Sequence, residues 1–148
     1  MARVLRSSLG DGVFHVTARG TGPTLIFLDD DDYHAFLRLL ERVRSRQRWA
    51  LHAYCLLGTH YHLVLEARQR SMSRGMQVLN GEYARHFNER HDRSGALFGG
   101  RFRSDPIRDD EHFANACLYV LANAVAAGLC RDVGEWPWSG LGPTVSRH

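Results

Sequence analysis

"HAYCLLGTHYHLVLE", residues 52–66, is the stretch whose reading decides the fold. It holds the end of one apolar segment, "WALHAYCLLG" (49–58), and the whole of another, "HYHLVLE" (60–66). Both have strand character, and Gly58 sits between them where a turn belongs. So short an interval permits only a hairpin, so the two strands pair antiparallel. Side chains at i and i+2 of a strand share a face. His60 and His62 therefore project together, while Tyr61 and Leu63 point to the opposite side.

Outward from this hairpin, "VFHVTARG" (13–20) alternates with period two and reads as the first strand. The apolar run Thr24–Phe27 has the length of a brief further strand. A helix begins at about Asp31, with Phe36, Leu37, Leu39, Leu40 and Val43 as its apolar face. The acidic run Asp29–Asp32 resembles a metal cluster on paper. Capping of the helix N-terminus, where carboxylates meet the positive end of the dipole, is the commoner use of such a run. After the hairpin, residues 71–92 read as a second helix, with Met72, Met76, Leu79, Tyr83 and Phe87 on one stripe. "RSGALFGGRFRSDPI" (93–107) is a glycine-rich loop entering a short strand. A third helix runs from about Asp110 to Ala127, with Gly128 as its C-terminal cap. The tail "GEWPWSGLGPTVSRH" reads as an irregular segment docked on the body. The order β-α-β-β-α-β-α implies an α+β fold, a ferredoxin-like or RRM-like sandwich with a mainly antiparallel sheet and helices packed on it. Residues 1–148 read as one domain.

Composition narrows the function classes. With 44% hydrophobic residues the chain can bury a real core. No apolar run approaches the roughly 18–20 residues of a membrane span, and "MARVLRSSLGDG" lacks the apolar stretch of a signal peptide. Cys55, Cys117 and Cys130 are an odd count without CxxC spacing, as expected of free thiols in a reducing cytoplasm. All 19 basic residues are arginine, and residues 67–104 carry eight of them against three acids. Arginine's planar fork suits bidentate phosphate contacts, so the excess points toward nucleic acid.

The third helix gives the two histidines a counterpart. Phe113, Cys117, Val120, Leu121 and Ala124 form its apolar side. His112, Asn115, Tyr119 and Asn123 form a separate polar stripe at spacings of three, four and four. Two asparagines disfavour a helix interior, so something other than propensity keeps the stripe. If the stripe faces His60 and His62, two imidazoles, a carboxamide oxygen and a phenol share one site. Such a donor set suits Mn²⁺ or Mg²⁺, and imidazole also accepts Zn²⁺. Tyr119 would then be a nucleophile whose ordinary pKa of about 10 requires help from the ion or a base. The competing assignment makes Tyr119 a residue at the edge of the core.

At this point the residues resemble a known family. A strand beginning His-hydrophobic-His, followed by a tyrosine on a downstream helix, is similar to the HUH-type single-tyrosine transposases of insertion sequences, and more closely to their REP-associated relatives. "VFHVTARG", "HAYCLLGTHYHLVLE", "SRGMQVLNGEYARHFNERHDRSGALFGGRFRS", "YVLANAVAAGL" and "EWPWS" follow the family's order across nearly the whole chain. The resemblance implies that His60 and His62 are metal ligands and Tyr119 the nucleophile. Asn123 would complete a site for Mg²⁺ or Mn²⁺. It implies attack on a phosphodiester of single-stranded DNA at hairpin-bearing sites, leaving a 5′-phosphotyrosine and a free 3′-OH. It also leaves a homodimer open, since insertion-sequence members share active sites between two chains and REP-associated relatives can be monomeric.

Two positions depart from the family pattern. Gly58-Thr59 stands where Pro-Asn is usual, and Asn123-Ala124-Val125 where Asn-Pro-Val is usual. Neither removes a reacting atom, but both are compatible with a catalytically inactive module that only binds single-stranded or hairpin DNA. Tyr83 is the rival nucleophile, although its position between Leu79 and Phe87 favours packing. A sheet-surface RNA reader would carry aromatics where the third strand carries histidines. A small zinc hydrolase would need a third strong ligand and a carboxylate base near the pair, whereas Glu66 lies roughly 13 Å along the strand from His62. For DNA contacts, Arg93, Arg101 and Arg103 stand in a loop whose glycines allow close backbone approach. Arg19, beside Gly20, joins them. Phe98 and Phe102 are candidates for base stacking or for packing.

Overall fold

The computed structural model describes residues 11–142. The start of the N-terminal segment read above for a signal peptide, and the last six residues of the tail, lie outside them.

Eight elements follow in order: β1 (Asp11–Arg19), α1 (Asp30–Gln47), β2 (Ala50–Leu56), β3 (His60–Arg68), α2 (Gln69–Arg90), β4 (Arg103–Ile107), α3 (Asp110–Ala126) and β5 (Ser139–Leu141), with one 3₁₀ turn at Val133–Glu135 before β5. They form a five-stranded sheet in the order β4-β1-β3-β2-β5. Every neighbouring pair is antiparallel. The expected hairpin is β2–β3, closed by the Leu57 N–H donating to the His60 carbonyl at 2.8 Å.

The alternation of β3 divides the molecule. Tyr61, Leu63 and Leu65 face α1 and α2, in a core with Phe36, Leu40, Met76, Leu79 and Tyr83. His62 and Val64 face α3, where Val64, Ala53, Cys55 and Ile107 meet the helix at Ala116, Val120 and Ala124. Both helices on the first face are held by their ends. Asp29 caps α1 by accepting the Asp32 N–H. Asp32, fully buried, accepts from the Leu28 N–H and from Arg90 and His91 at the far end of α2. The acidic run is thus a cap and a clamp. Tyr83 donates its hydroxyl to the Ile26 carbonyl and is fully buried, which gives it the packing role.

Two expectations need correction. Thr24–Phe27 is not a strand: Ile26 donates one backbone bond to Gly58, while Ile26 and Phe27 pack into the core as an irregular segment. Apolarity there reflects burial, which a loop can also satisfy. The tail is not irregular throughout, because β5 pairs with β2 through Tyr54↔Gly140 and its neighbours. Glycines at 140 and 142 concealed a strand too short to show alternation. The tail does dock, as Trp136 donates its ring N–H to the Leu56 carbonyl.

The packing of α2 against α1 and the link into β2 depends on one missing side chain. A Cβ at Gly75 would run into the indole of Trp49 and press on Val43. Gly75→Ala is therefore expected to lower stability by about 1–3 kcal/mol through overpacking, despite alanine's better helix propensity. Urea denaturation with an unchanged m-value and a lower midpoint would bear this out.

Candidate active site

The α3-facing side of the sheet is a grid of polar residues at one end. His62 lies opposite Thr17 of β1 and Cys55 of β2, and His60 lies opposite Arg19. One step outward, Thr17 pairs with Arg103 and His15 with Asp105 of β4. Four strands thus bring side chains from distant parts of the chain into one plane. Above them, α3 is capped by Asp109, whose carboxylate accepts the His112 N–H at 2.8 Å. His112 in turn accepts the Arg108 N–H through Nδ1. The ridge that meets the sheet, Ala116, Val120 and Ala124, is narrow, so the helix lies close against it.

This closeness sets the position of Tyr119. The residue is 58% exposed, yet its ring lies edge-on at 5.9 Å from the His62 ring and 5.8 Å from the His15 ring. The His60 and His62 rings are 5.0 Å apart. A cleft of about 670 Å³ opens here, lined by His15, Thr17 and His62 from the sheet and by His112, Asn115 and Tyr119 from α3. Arg19, Arg101 and Arg103 also line it. His60 and Asn123 do not line this cleft; each lies next to it. His60 contacts the Thr59 hydroxyl at 3.1 Å. Asn123 donates its amide N–H to the Tyr119 carbonyl one turn back, leaving the amide oxygen as its acceptor end.

Arg93 is not part of this group. Its guanidinium donates to Asn88 Oδ1 and to the carbonyls of Gly95 and Ala96, so it staples its own loop. Glu66 pairs with His52, away from the histidine pair.

His15 is the residue that sequence reasoning missed. Its Nε2 stands 2.9 Å from His62 Nδ1, with Thr17 Oγ1 at 3.3 Å from the same atom. The signal was present in "VFHVTARG", where His15 has the same parity as Arg19. Nothing in the sequence stated that β1 and β3 are neighbours. The other ring nitrogen of His62, Nε2, is buried with no hydrogen-bond partner. A buried imidazole nitrogen without a partner is costly unless something binds it. Among the described residues no group of three or more His, Cys, Asp or Glu is placed to hold a metal. A metal at this end would therefore rest on the two imidazoles and a neutral oxygen donor, which are the donors at hand.

Burial dominates the electrostatics. It pushes the His62 pKa down to about 3, with His15, His60 and Arg19 adding to the shift. His60 is lowered by burial and then by Arg19. Burial lowers His15 as well; Asp105 opposes the shift, and Arg103 and His112 reinforce it. Near pH 7 all three imidazoles are neutral, the form that ligates a metal. Below the unfolded value of about 6.5, the unfolded chain binds protons that folded His62 refuses. Stability of the metal-free protein should then fall with decreasing pH from about 6.5 toward 3, with His62 contributing up to about 1.4 kcal/mol per pH unit. Urea unfolding in EDTA across this range should show a shallower slope for His62→Phe than for the wild type.

Comparison with known proteins places this architecture. Residues 24–122 match the family model described as IS200-like transposase. The chain belongs to that transposase family. The structure of a REP-associated tyrosine transposase bound to a REP hairpin superposes with a TM-score of 0.75 at 18% identity, covering 99% of this chain and 84% of that one. A candidate transposase from Deinococcus radiodurans R1, seen in a crystal structure, gives a TM-score of 0.52 at 17% identity, covering 80% of this chain and 94% of that one. No curated protein matches significantly. The shared fold with the REP-associated transposase is the α+β sandwich expected from the sequence, with β5 added.

Proposed function

We propose that this chain nicks and rejoins single-stranded DNA at hairpin-bearing sites, with Tyr119 as the nucleophile. The observation that carries the reading is the meeting of an exposed tyrosine with a buried neutral imidazole, His62, in an arginine-lined cleft. Membership of the transposase family supports it, as does a relative of the same fold solved with hairpin DNA.

In this reading the Tyr119 hydroxyl oxygen attacks a backbone phosphorus. The new bond is phosphorus to phenolic oxygen, and the bond that breaks is phosphorus to the 3′ oxygen of the preceding nucleotide. The phenol loses its proton and the 3′ oxygen gains one. The products are a 5′-phosphotyrosine and a free 3′-OH, and attack by another 3′-OH restores the DNA without an external energy source. Arg19, Arg101 and Arg103 hold the phosphates in the cleft. His60 and His62, with the Asn123 amide oxygen, would hold Mg²⁺ or Mn²⁺, which supplies polarisation of the scissile phosphate when bound. Ala124, in place of the family's proline, is buried against the sheet and costs the site no reacting group.

His15 is a positioning residue in this scheme. For His62 to ligate through its unpartnered Nε2, its proton must sit on Nδ1. His15 Nε2 and Thr17 Oγ1 are placed to accept that proton's hydrogen bond. His15→Phe is expected to weaken Mn²⁺ binding by about 10–100-fold, and His15→Gln, which keeps an acceptor, to recover most of it. Titration calorimetry on the DNA-free protein measures both. Equal affinities in all three proteins would remove His15 from the scheme.

The reaction itself is tested with labelled hairpin-bearing single-stranded DNA and Mn²⁺. A covalent adduct should survive denaturation, disappear in Tyr119→Phe and persist in Tyr83→Phe. Binding without an adduct would instead favour a DNA-binding module without catalysis.

A further inference from the structure

Outside the cleft, a stretch of positive surface lies on the first half of α2. Arg70, Ser73, Arg74 and Gln77 recur at spacings of three and four, so they share one helical side. Arg70 and Arg74 are exposed and take part in no ion pair among the described residues. A groove of about 370 Å³ runs between this side of α2 and the loop carrying Phe98 and Phe102, with no acid in its lining. Beyond it, a wider depression of about 910 Å³ continues past Arg70 to Arg68 and Gln47, again without an acid.

Arg101 joins this surface to the active site. It lines the catalytic cleft and also the α2 groove. Arg70 and Arg74 line both the groove and the outer depression. Through these shared linings the three hollows follow one another from beside Tyr119 to the N-terminal end of α2. The groove floor is suited to bases as well as to phosphates. Phe98 and Phe102 pack on the core with part of each ring uncovered. Asn80 accepts the Tyr61 hydroxyl through its amide oxygen, which leaves its amide N–H groups as the donors beside the groove.

We propose that this path carries the single-stranded flank of the DNA whose phosphodiester sits at Tyr119, with the backbone against Arg101, Arg74 and Arg70 and bases toward Phe98 and Phe102. The proposal rests on the reading of the cleft as a single-strand DNA site and extends it by naming where the strand goes. An unpaired strand is favoured over a duplex stem because the groove is narrow and offers partly exposed aromatic rings, which stack only on unpaired bases.

The test is anisotropy binding of hairpin oligonucleotides with single-stranded flanks of increasing length on either side, in a salt series. For the wild type, affinity should rise with the length of one flank and then level off. In the double variant Arg70→Gln/Arg74→Gln that gain should vanish. The slope of log K against log salt on the flanked oligonucleotide should shrink by about 1.4, the share of two single-strand phosphates. On the flankless hairpin the two proteins should agree. A double variant with the wild-type slope and the wild-type flank gain overturns the proposal, as does a loss that tracks the length of the duplex stem. Because the readout is binding, failure of the Tyr119 adduct assay leaves this result interpretable, and a formed adduct with an unchanged salt slope rejects the path alone.

Discussion

The structure depends on the period-two alternation of β3, the middle strand of five. It sends Tyr61, Leu63 and Leu65 into the core under α1 and α2, and sends His60, His62 and Val64 toward α3. A slip of one residue would exchange the faces, placing imidazoles in the apolar core and the phenol of Tyr61 in the cleft. The register is held on both sides. β1 pairs with β3 along nine residues from Asp11↔Arg68 to Arg19↔His60, and β2 pairs regularly from Ala53↔Val64 to Leu56↔Tyr61. The one irregularity in the β2–β3 ladder falls between Leu51 and Ala53, at the end away from the histidine pair. The Tyr61 hydroxyl adds a lock from the far side by bonding Asn80.

The site is consequently built from stability that is partly sacrificed. His62 is 6% exposed and carries a nitrogen with no partner, a arrangement that works against folding. It persists because the surrounding grid, with its ladder on either side and the alanine ridge of α3 above, determines the position of the ring whatever its own preference. The same ridge explains how α3 tolerates Asn115 and Asn123. Packing through Ala116, Val120 and Ala124 fixes the helix, so the outer residues are free to follow chemistry rather than propensity.

What the sequence made legible follows from this division. The hairpin, the three helices and the common face of His60 and His62 are local properties, set by alternation, by helical spacing and by Gly58. The polar stripe on α3 was equally local. Strand order is a tertiary property, and everything that depended on it was hidden. His15 could not be joined to His62 until β1 was known to lie beside β3, and Asp105 could not be joined to His15 until β4 closed the other side. Arg93 and Arg101 looked alike in the sequence, eight residues apart in one glycine-rich loop. Only their surroundings separate them: Arg93 turns back on Asn88 and its own loop carbonyls, while Arg101 faces two hollows.

The two faces of the sheet are not independent in their use. The core face buries Tyr61 and Phe36 and anchors α2 through Met72, Met76 and Leu79. An amphipathic helix anchored so firmly must present its other side to solvent, and α2 fills the first half of that side with Arg70, Arg74 and Gln77 rather than with mixed charges. The loop after α2 then crosses the edge of the sheet, where the Gly99 N–H bonds the Arg19 carbonyl and Thr21 bonds Leu97. Those two bonds bring Arg101 to the boundary between the faces, within reach of both. A side chain at Gly99 would press on the backbone of Gly20 and Thr21 at 3.1–3.2 Å, so the loop can lie this close only because glycine is there. The glycine-rich loop is thus a seam along the sheet edge, and how tightly it is closed sets where Arg101 stands between the cleft and α2.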